Sequence, residues 1–445
     1  MKDSVIFKNI TVVTPENDFV QVRYNCCVSV KEGKYRYIGD SYAEASALFK
    51  DNEPEVYDGT GKILMPCFVN SHTHLAMTLL RNRADDRKLH EWLYGSVFPI
   101  EAKMRPEDLQ AGTLLGIAEM IKSGSGACAN MYVMHEDAMD TQLAVDTGIK
   151  LNTVISAGHL DEGSGSYVLD EGYFDHLYDK YNGASEGRVR CGLLVHSIYL
   201  YDKPYYGKLA EMAIRKGTYI HTHLSETRKE VEDCIRDFGM TPAEAMNAAG
   251  MFDVHTLAAH CVYLSRKDLG ILSEKNVSVA HNPVSNLKLG SGMADIRSMI
   301  DASINVCIGT DGPASNNALD MVQDMRFAAY IAKGLAEDPT AVNACEIFRM
   351  ATINGMKALG FDLSGAVSEG WKADLIIIDT GSEHMSPMAD PVSAIVYSMK
   401  STDVETLMID GKMLMRKREL TTIDTEKVIY EAERSAEFLY NTVAK

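Results

Sequence analysis

The chain has 445 residues, 46% of them hydrophobic and 24% charged, enough for one large domain with a smaller one or for two to three ordinary domains. A net charge of -18 argues against nucleic acid and anionic membranes as partners. Nine cysteines, none in a Cys-x-x-Cys pair, give neither a disulfide framework nor a thiolate zinc site. With no apolar leader and no membrane-length apolar run, the expectation is a soluble cytoplasmic protein.

In chain order, residues 1–62 predict the first part of a small β-sandwich. Short β-rich stretches at 5–10, 12–13, 27–30 and 35–38 are broken by Pro15, Asn17, Gly33 and Gly39, with a helical piece at 43–50. From residue 63 short apolar runs alternate with longer helical stretches. The runs fall at 63–69, 127–133, 150–156, 189–196, 218–224, 256–260, 277–281 and 305–309, with helices such as 106–122, 203–215, 229–238 and 294–302 between them. That alternation predicts an α/β fold, a (β/α)8 barrel of the TIM type over 63–365. An open doubly wound sheet is the alternative. It wants a glycine-rich phosphate turn after its first strand, and the first run leads instead into His72-Thr-His74. Helices at 318–335 and 341–359 follow, then strands at 370–379, 394–398, 404–409 and 413–416. Residues 366–420 are expected to complete the sandwich, because neither part alone has enough apolar surface for a core. Residues 421–445 supply a closing helix, at 425–443.

In such a barrel the chemistry sits at the C-terminal ends of the strands. Those ends carry His72 and His74, His196, His221 and His223 with Glu226, His260, His281 and Asp311, so seven of the 13 histidines fall there. Alternate residues of a strand share a face, so His72 points with His74 and His221 with His223. A lone His-x-His is more often polar loop than metal site, but seven histidines at strand ends are not scattered residues. Imidazole suits zinc and iron(II).

Several stretches resemble the amidohydrolase superfamily. They are Met65-Pro-Cys-Phe-Val-Asn-Ser-His-Thr-His74, Phe98-Pro-Ile-Glu101, His223-Leu-Ser-Glu-Thr227, His281-Asn-Pro-Val-Ser-Asn-Leu-Lys-Leu-Gly290 and Gly309-Thr-Asp-Gly-Pro-Ala-Ser-Asn-Asn317. Within the superfamily they are similar to the branch of S-adenosylhomocysteine and 5′-methylthioadenosine deaminases and triazine chlorohydrolases. The resemblance implies one divalent metal ion per chain, zinc or iron, held by His72, His74, His223 and Asp311. The second run has no lysine, which fits one metal rather than two bridged by a carboxylated lysine. It also implies catalytic roles for Glu226, which protonates a ring nitrogen, for His260, which orients the attacking oxygen, and for Asp311, which relays a proton from water to the departing ammonia. Glu226 three residues on marks His223 as the ligand, leaving His221 beside the metal rather than on it. Substrate contacts implied in the same way are Glu101 on the ribose diol, Trp92 packing on the substrate and His196 near the ribose, with His281 and Asn286 shaping the pocket.

One departure bears on specificity. The homocysteine-accepting members place arginines in and after the third strand. Here no arginine lies between Arg105 and Arg188, and the stretch 150–171 carries Asp161, Glu162, Asp170 and Glu171. A carboxylate clamp needs guanidinium geometry. The expected substrate is therefore an adenine nucleoside with a neutral 5′ group (5′-methylthioadenosine, 5′-deoxyadenosine or adenosine), deaminated to the inosine analogue, with S-adenosylhomocysteine disfavoured. The alternatives are another heteroaromatic substrate (pterin, guanine or triazine) and an inactive hydrolase-like scaffold, against which the intact ligands and Glu226 speak. Analogy with similar barrels adds a homo-oligomer, dimer or tetramer.

Overall fold

A computed structural model describes residues 4–49, 53–83, 85–132, 139–160, 167–200 and 203–443. Eight parallel strands form one sheet in chain order: Phe68–Thr73, Ser125–Asn130, Lys150–Ile155, Val189–Leu194, Ile220–Leu224, Thr256–His260, Ser278–His281 and Asn305–Ile308. They are buried on both faces almost throughout, which is why they read as continuous apolar runs rather than alternating ones. The last strand meets the first where the Asp311 amide donates to the His72 carbonyl (2.9 Å) and the Thr310 amide to Asn70 Oδ1 (3.0 Å). Helices return the chain between strands, and their ends follow local chemistry. Pro106 opens Pro106–Ser123 and Gly124, at φ 95°, closes it; Ser265 and Asp268 form a capping box on Arg266–Glu274. The helix expected at 294–302 is the shorter Ile296–Asp301. The helix expected at 341–359 is two, Ala344–Met350 and Ile353–Ala358, because Thr352 leaves helical geometry at φ -128°, ψ -96°. Among the described residues no helix is long and apolar enough to cross a membrane.

The second sheet has nine strands drawn from both flanks of the barrel. Val5–Glu16, Phe19–Lys31, Lys34–Gly39, Glu55–Asp58 and Lys62–Pro66 precede it; Leu375–Asp379, Val404–Ile409, Lys412–Arg416 and Glu419–Leu420 follow it. The two groups join where Lys62–Pro66 runs antiparallel to Leu375–Asp379. Here the run at 63–69 proves to be two strands in two sheets. The Cys67 amide still donates to the Asp374 carbonyl (3.2 Å), while the next amide, Phe68, donates to Gly124 at the barrel (3.0 Å). Residues 394–398, expected as a strand, are helical: Asp390 caps a turn opened by Pro391, and Ala394–Ser398 continues it. The stretches 5–10 and 12–13 are one strand with an irregular register around Asn9.

Alternation along the joining strands builds two cores at once. Ile63, Met65, Ile376 and Ile378 pack into the barrel core, while Leu64, Leu375 and Ile377 pack into the core of the second unit. A buried ion cluster ties the two together. Lys150, opening the third barrel strand, places Nζ 2.6 Å from both carboxylate oxygens of Asp374 and 2.8 Å from Asp410 Oδ1.

Candidate active site

The C-terminal ends of the barrel strands open on a cavity of about 340 Å3. Three imidazoles there have one nitrogen already committed. His72 Nδ1 lies 2.9 Å from His221 Nε2, His74 Nδ1 donates to the Met131 carbonyl, and His223 Nδ1 donates to the His196 carbonyl at 2.8 Å. A neutral imidazole whose Nδ1 carries the proton has its lone pair on Nε2. Burial holds His72 down to about 4 and His223 well below the ordinary histidine range, so both stay neutral. Asp311 faces them, with Oδ1 3.1 Å from His74 Nε2 and 3.4 Å from His72 Nε2. Burial raises its carboxyl, but the imidazoles of His72 and His74 outweigh burial and hold it well below the usual carboxylate range. Ser285 Oγ (2.6 Å) and Ser315 Oγ (2.8 Å) donate to Asp311 Oδ2 and fix the group.

The donor atoms of His72, His74 and Asp311 lie within 4.8 Å of one another, and so do those of His72, His223 and His260. His72 Nε2 is buried with no hydrogen-bond partner among the described residues. An orphaned buried nitrogen costs about 1–3 kcal/mol, and a cation among these lone pairs removes that cost. The donor set therefore fits a divalent metal, with imidazole and carboxylate ligands oriented by outer partners.

Glu226 follows the fifth strand. Its Oε1 accepts from Ser291 Oγ at 3.1 Å and its Oε2 stands 3.9 Å from His260 Nε2. Burial lifts its carboxyl above the ordinary range, against the pull of His260. His260 donates Nδ1–H to Asn286 Oδ1 (2.8 Å), which turns Nε2 into the cavity. Ser225, His260 and Asp311 all have positive φ (50°, 73° and 62°), a conformation costly for residues with a Cβ and held here by the surrounding strands. Behind Glu226 stands Glu230, buried and pushed up to about 7 by burial and by the neighbouring Glu226.

Trp92, Glu101, Met104, Tyr132, His196 and Tyr199 share the cavity wall with the metal donors. Tyr132 donates its hydroxyl to Glu101 Oε1 at 2.7 Å. The Trp92 indole nitrogen is buried without a partner among the described residues. Among the described residues neither lysine nor arginine lines the cavity. Lys150, in the arginine-free stretch, is committed to Asp374 and Asp410. Asp161 and Glu162 lie outside the described residues. Asp170 caps the helix Glu171–Tyr181, and Glu171 pairs with Arg215 on the exposed surface.

His281 and Asn286 are not among the lining residues. Asn286 reaches the site through His260, and His281 is buried with neither ring nitrogen partnered among the described residues. Sequence reasoning missed Tyr132, Ser285, Ser291, Ser315 and Glu230. Tyr132 is the next-to-last residue of the second apolar run, where a strand-end reading would have met it. Ser285 and Ser315 stand inside segments already singled out. Glu230 looks like the fourth residue of a capping box begun at Thr227, and only the fold shows that its carboxylate reaches past the cap.

Comparison with known proteins agrees with this geometry. Residues 63–414 match the amidohydrolase family. A 5-methylthioadenosine/S-adenosylhomocysteine deaminase of Acetivibrio thermocellus is 44% identical over 436 residues, 97% of this chain and 99% of the relative. A 5′-deoxyadenosine deaminase of Methanosarcina acetivorans is 38% identical over 438 residues, 98% of each chain. The crystal structure of an adenosine deaminase from Xanthomonas campestris with bound zinc superposes with a TM-score of 0.89 at 28% identity, covering 99% of each chain. With a barrel of eight parallel strands, a second sheet built from both flanks and metal donors at the strand ends, the chain belongs to the amidohydrolase family and is an enzyme of that family.

Proposed function

We propose that the protein is a zinc-dependent deaminase of adenine nucleosides whose 5′ group is neutral: 5′-methylthioadenosine, 5′-deoxyadenosine or adenosine. The observation that carries this reading is a single cavity lined by His74, His223 and Asp311 together with Glu226 and the Glu101 carboxylate, with no lysine or arginine on its wall among the described residues. The activities named for the two relatives support an adenine nucleoside as substrate.

His72, His74, His223 and Asp311 would hold a divalent ion, which would supply the Lewis acidity that makes water a nucleophile near neutral pH. The rest falls to side chains. Asp311, ionised and fixed by Ser285 and Ser315, accepts a proton from the attacking water at Oδ1. Glu226, its pKa raised by burial, delivers a proton from its carboxyl to the ring nitrogen next to the carbon under attack. His260 presents Nε2 to the incoming oxygen, its ring fixed by Asn286. The proton on Asp311 leaves with ammonia as the C–N bond breaks, and the proton remaining on the added hydroxyl returns Glu226 to its protonated form. Glu101, with one oxygen engaged by Tyr132, keeps lone pairs for ribose hydroxyls.

A substrate carboxylate entering this cavity would meet no guanidinium among the described residues, at a cost of several kcal/mol, so S-adenosylhomocysteine reacts more slowly. The working form is a cytoplasmic dimer or tetramer. An odd count of nine cysteines supports a reducing compartment, and exposed Phe327 and Tyr330, the latter stacked on Tyr397 at 6.0 Å, support contact between copies.

The test is ammonia release by the zinc-loaded protein across 5′-methylthioadenosine, 5′-deoxyadenosine, adenosine, S-adenosylhomocysteine, guanine and pterin. The three neutral nucleosides should lead. S-adenosylhomocysteine as the best substrate would overturn the specificity reading, and reaction of the free rings alone would overturn the nucleoside reading.

A further inference from the structure

We propose that Glu230 is a positioning residue for the proton donor: its carboxylate grips the two successive backbone amides that carry Glu226. The inference rests on the reading of Glu226 as the acid.

The strand Ile220–Leu224 ends and the helix Arg228–Phe238 begins within three residues. The chain makes that change through Ser225, at φ 50°. The amides of 225 and 226 leave the sheet ladder here without entering the helix, and a buried amide needs a partner. Glu230 provides both: Oε1 accepts from the Ser225 amide at 3.0 Å and Oε2 from the Glu226 amide at 2.7 Å. The other side of the turn is pinned by the next strand's loop, where the Val262 and Tyr263 amides donate to the Ser225 carbonyl at 3.1 and 3.0 Å.

Helix capping alone does not account for this carboxylate. Thr227 is already the cap, its hydroxyl accepting from the Glu230 amide at 3.1 Å. Glu230 is buried and paired with no lysine or arginine among the described residues, an expensive way to hold an acid when a neutral cap is in place. Among the described residues, the Glu226 side chain accepts one hydrogen bond, from the Ser291 hydroxyl, with His260 Nε2 standing off at 3.9 Å. A donor that must release its proton cannot be tied firmly at its own oxygens, so its aim has to come from the backbone. The bidentate grip of Glu230 fixes the direction in which Glu226 leaves the chain.

The experiment measures kcat, KM, zinc content and melting temperature for wild type, Glu230→Gln, Glu230→Asp, Glu226→Gln and the double variant Glu226→Gln/Glu230→Gln, with 5′-methylthioadenosine as substrate. Glutamine turns a donor toward one of the two amides, and aspartate is one methylene too short. Misplacement by about 1 Å is worth roughly 10²-fold in rate, so kcat should fall about 10–100-fold for both single Glu230 variants. KM should stay within about twofold and zinc content should not change. Because Glu230 acts through Glu226, the double variant should turn over no more slowly than Glu226→Gln alone. The inference is overturned if Glu230→Gln keeps near wild-type kcat while Glu226→Gln is inactive. It is also overturned if removing Glu230 slows the Glu226→Gln enzyme by the same factor as the wild type, or if neither Glu230 variant yields folded, zinc-loaded protein, since Glu230 would then be a fold determinant. Activity retained by Glu226→Gln would instead remove the proposed acid itself.

Discussion

His72 and His221 face each other nitrogen to nitrogen, Nδ1 to Nε2, at 2.9 Å. In the proposed metal site His72 gives its other nitrogen to the ion, so Nδ1 carries the proton and His221 accepts it. Removing that acceptor in His221→Ala frees the His72 ring to rotate and leaves a buried N–H unpaired. Metal affinity should fall about 10–100-fold, read as zinc retained against a competing chelator. Unchanged affinity would make His221 a lining residue only.

Glu226→Gln keeps the shape of the side chain and removes its proton. Zinc content and melting temperature should match wild type, while kcat drops by about 10²–10⁴. Burial raises the Glu226 pKa, so its protonated form persists to higher pH than for an exposed carboxyl. Since the protonated form is the active one, kcat should hold from acid pH and decline as pH rises through that raised pKa. A profile that rises across the same range would assign Glu226 as a base.

Glu101→Ala takes the carboxylate acceptor from Tyr132 and, on the proposed substrate reading, from the ribose. Hydrogen bonds to a charged group are worth about 1.5–3 kcal/mol, so kcat/KM for the nucleosides should fall about 10–100-fold. Slow turnover of free adenine should be nearly unaffected. Equal losses for base and nucleoside would show that Glu101 does not read the sugar.

Lys150→Met strands the carboxylate of Asp374 in the interior and leaves Asp410 with the more distant Arg188 (3.8 Å) and Lys372 (3.9 Å). Breaking a buried pair in this way costs about 3–5 kcal/mol, so the urea midpoint should drop sharply. Adding Asp374→Asn and Asp410→Asn to that variant should recover part of the loss. Recovery of nothing would mean that the packing of Lys150, rather than its charge, holds the units together.

Much of this was legible in the residues. The eight apolar runs map onto the eight barrel strands because strands buried on both faces have nothing polar to alternate with. The histidines at their ends mark the site because few other constraints place so many there. The failures have physical causes too. Residues 63–69 read as one strand because Ile63–Pro66 and Phe68-Val69 are equally apolar, and sheet membership is decided by partners far away in sequence. Residues 394–398 hold β-branched Ile395 and Val396 yet are helical, because Asp390 and Pro391 start a helix just before them. Pro391 was the available signal. Glu230 and the serines on Asp311 and Glu226 were out of reach, since their meaning lies in which loops the fold brings together.

The pairing of Lys62–Pro66 with Leu375–Asp379 also sets a timetable. About 300 residues separate the two strands in the chain. At about 5–20 residues per second on the ribosome, the first waits roughly 15–60 s for the second to be made. Through that interval the nascent protein carries an open sheet edge beside Ile63, Leu64 and Met65, the kind of edge that pairs with other chains. Aggregation during synthesis should therefore begin at this edge, before the barrel's last helices emerge, and slowing translation after the barrel should worsen it.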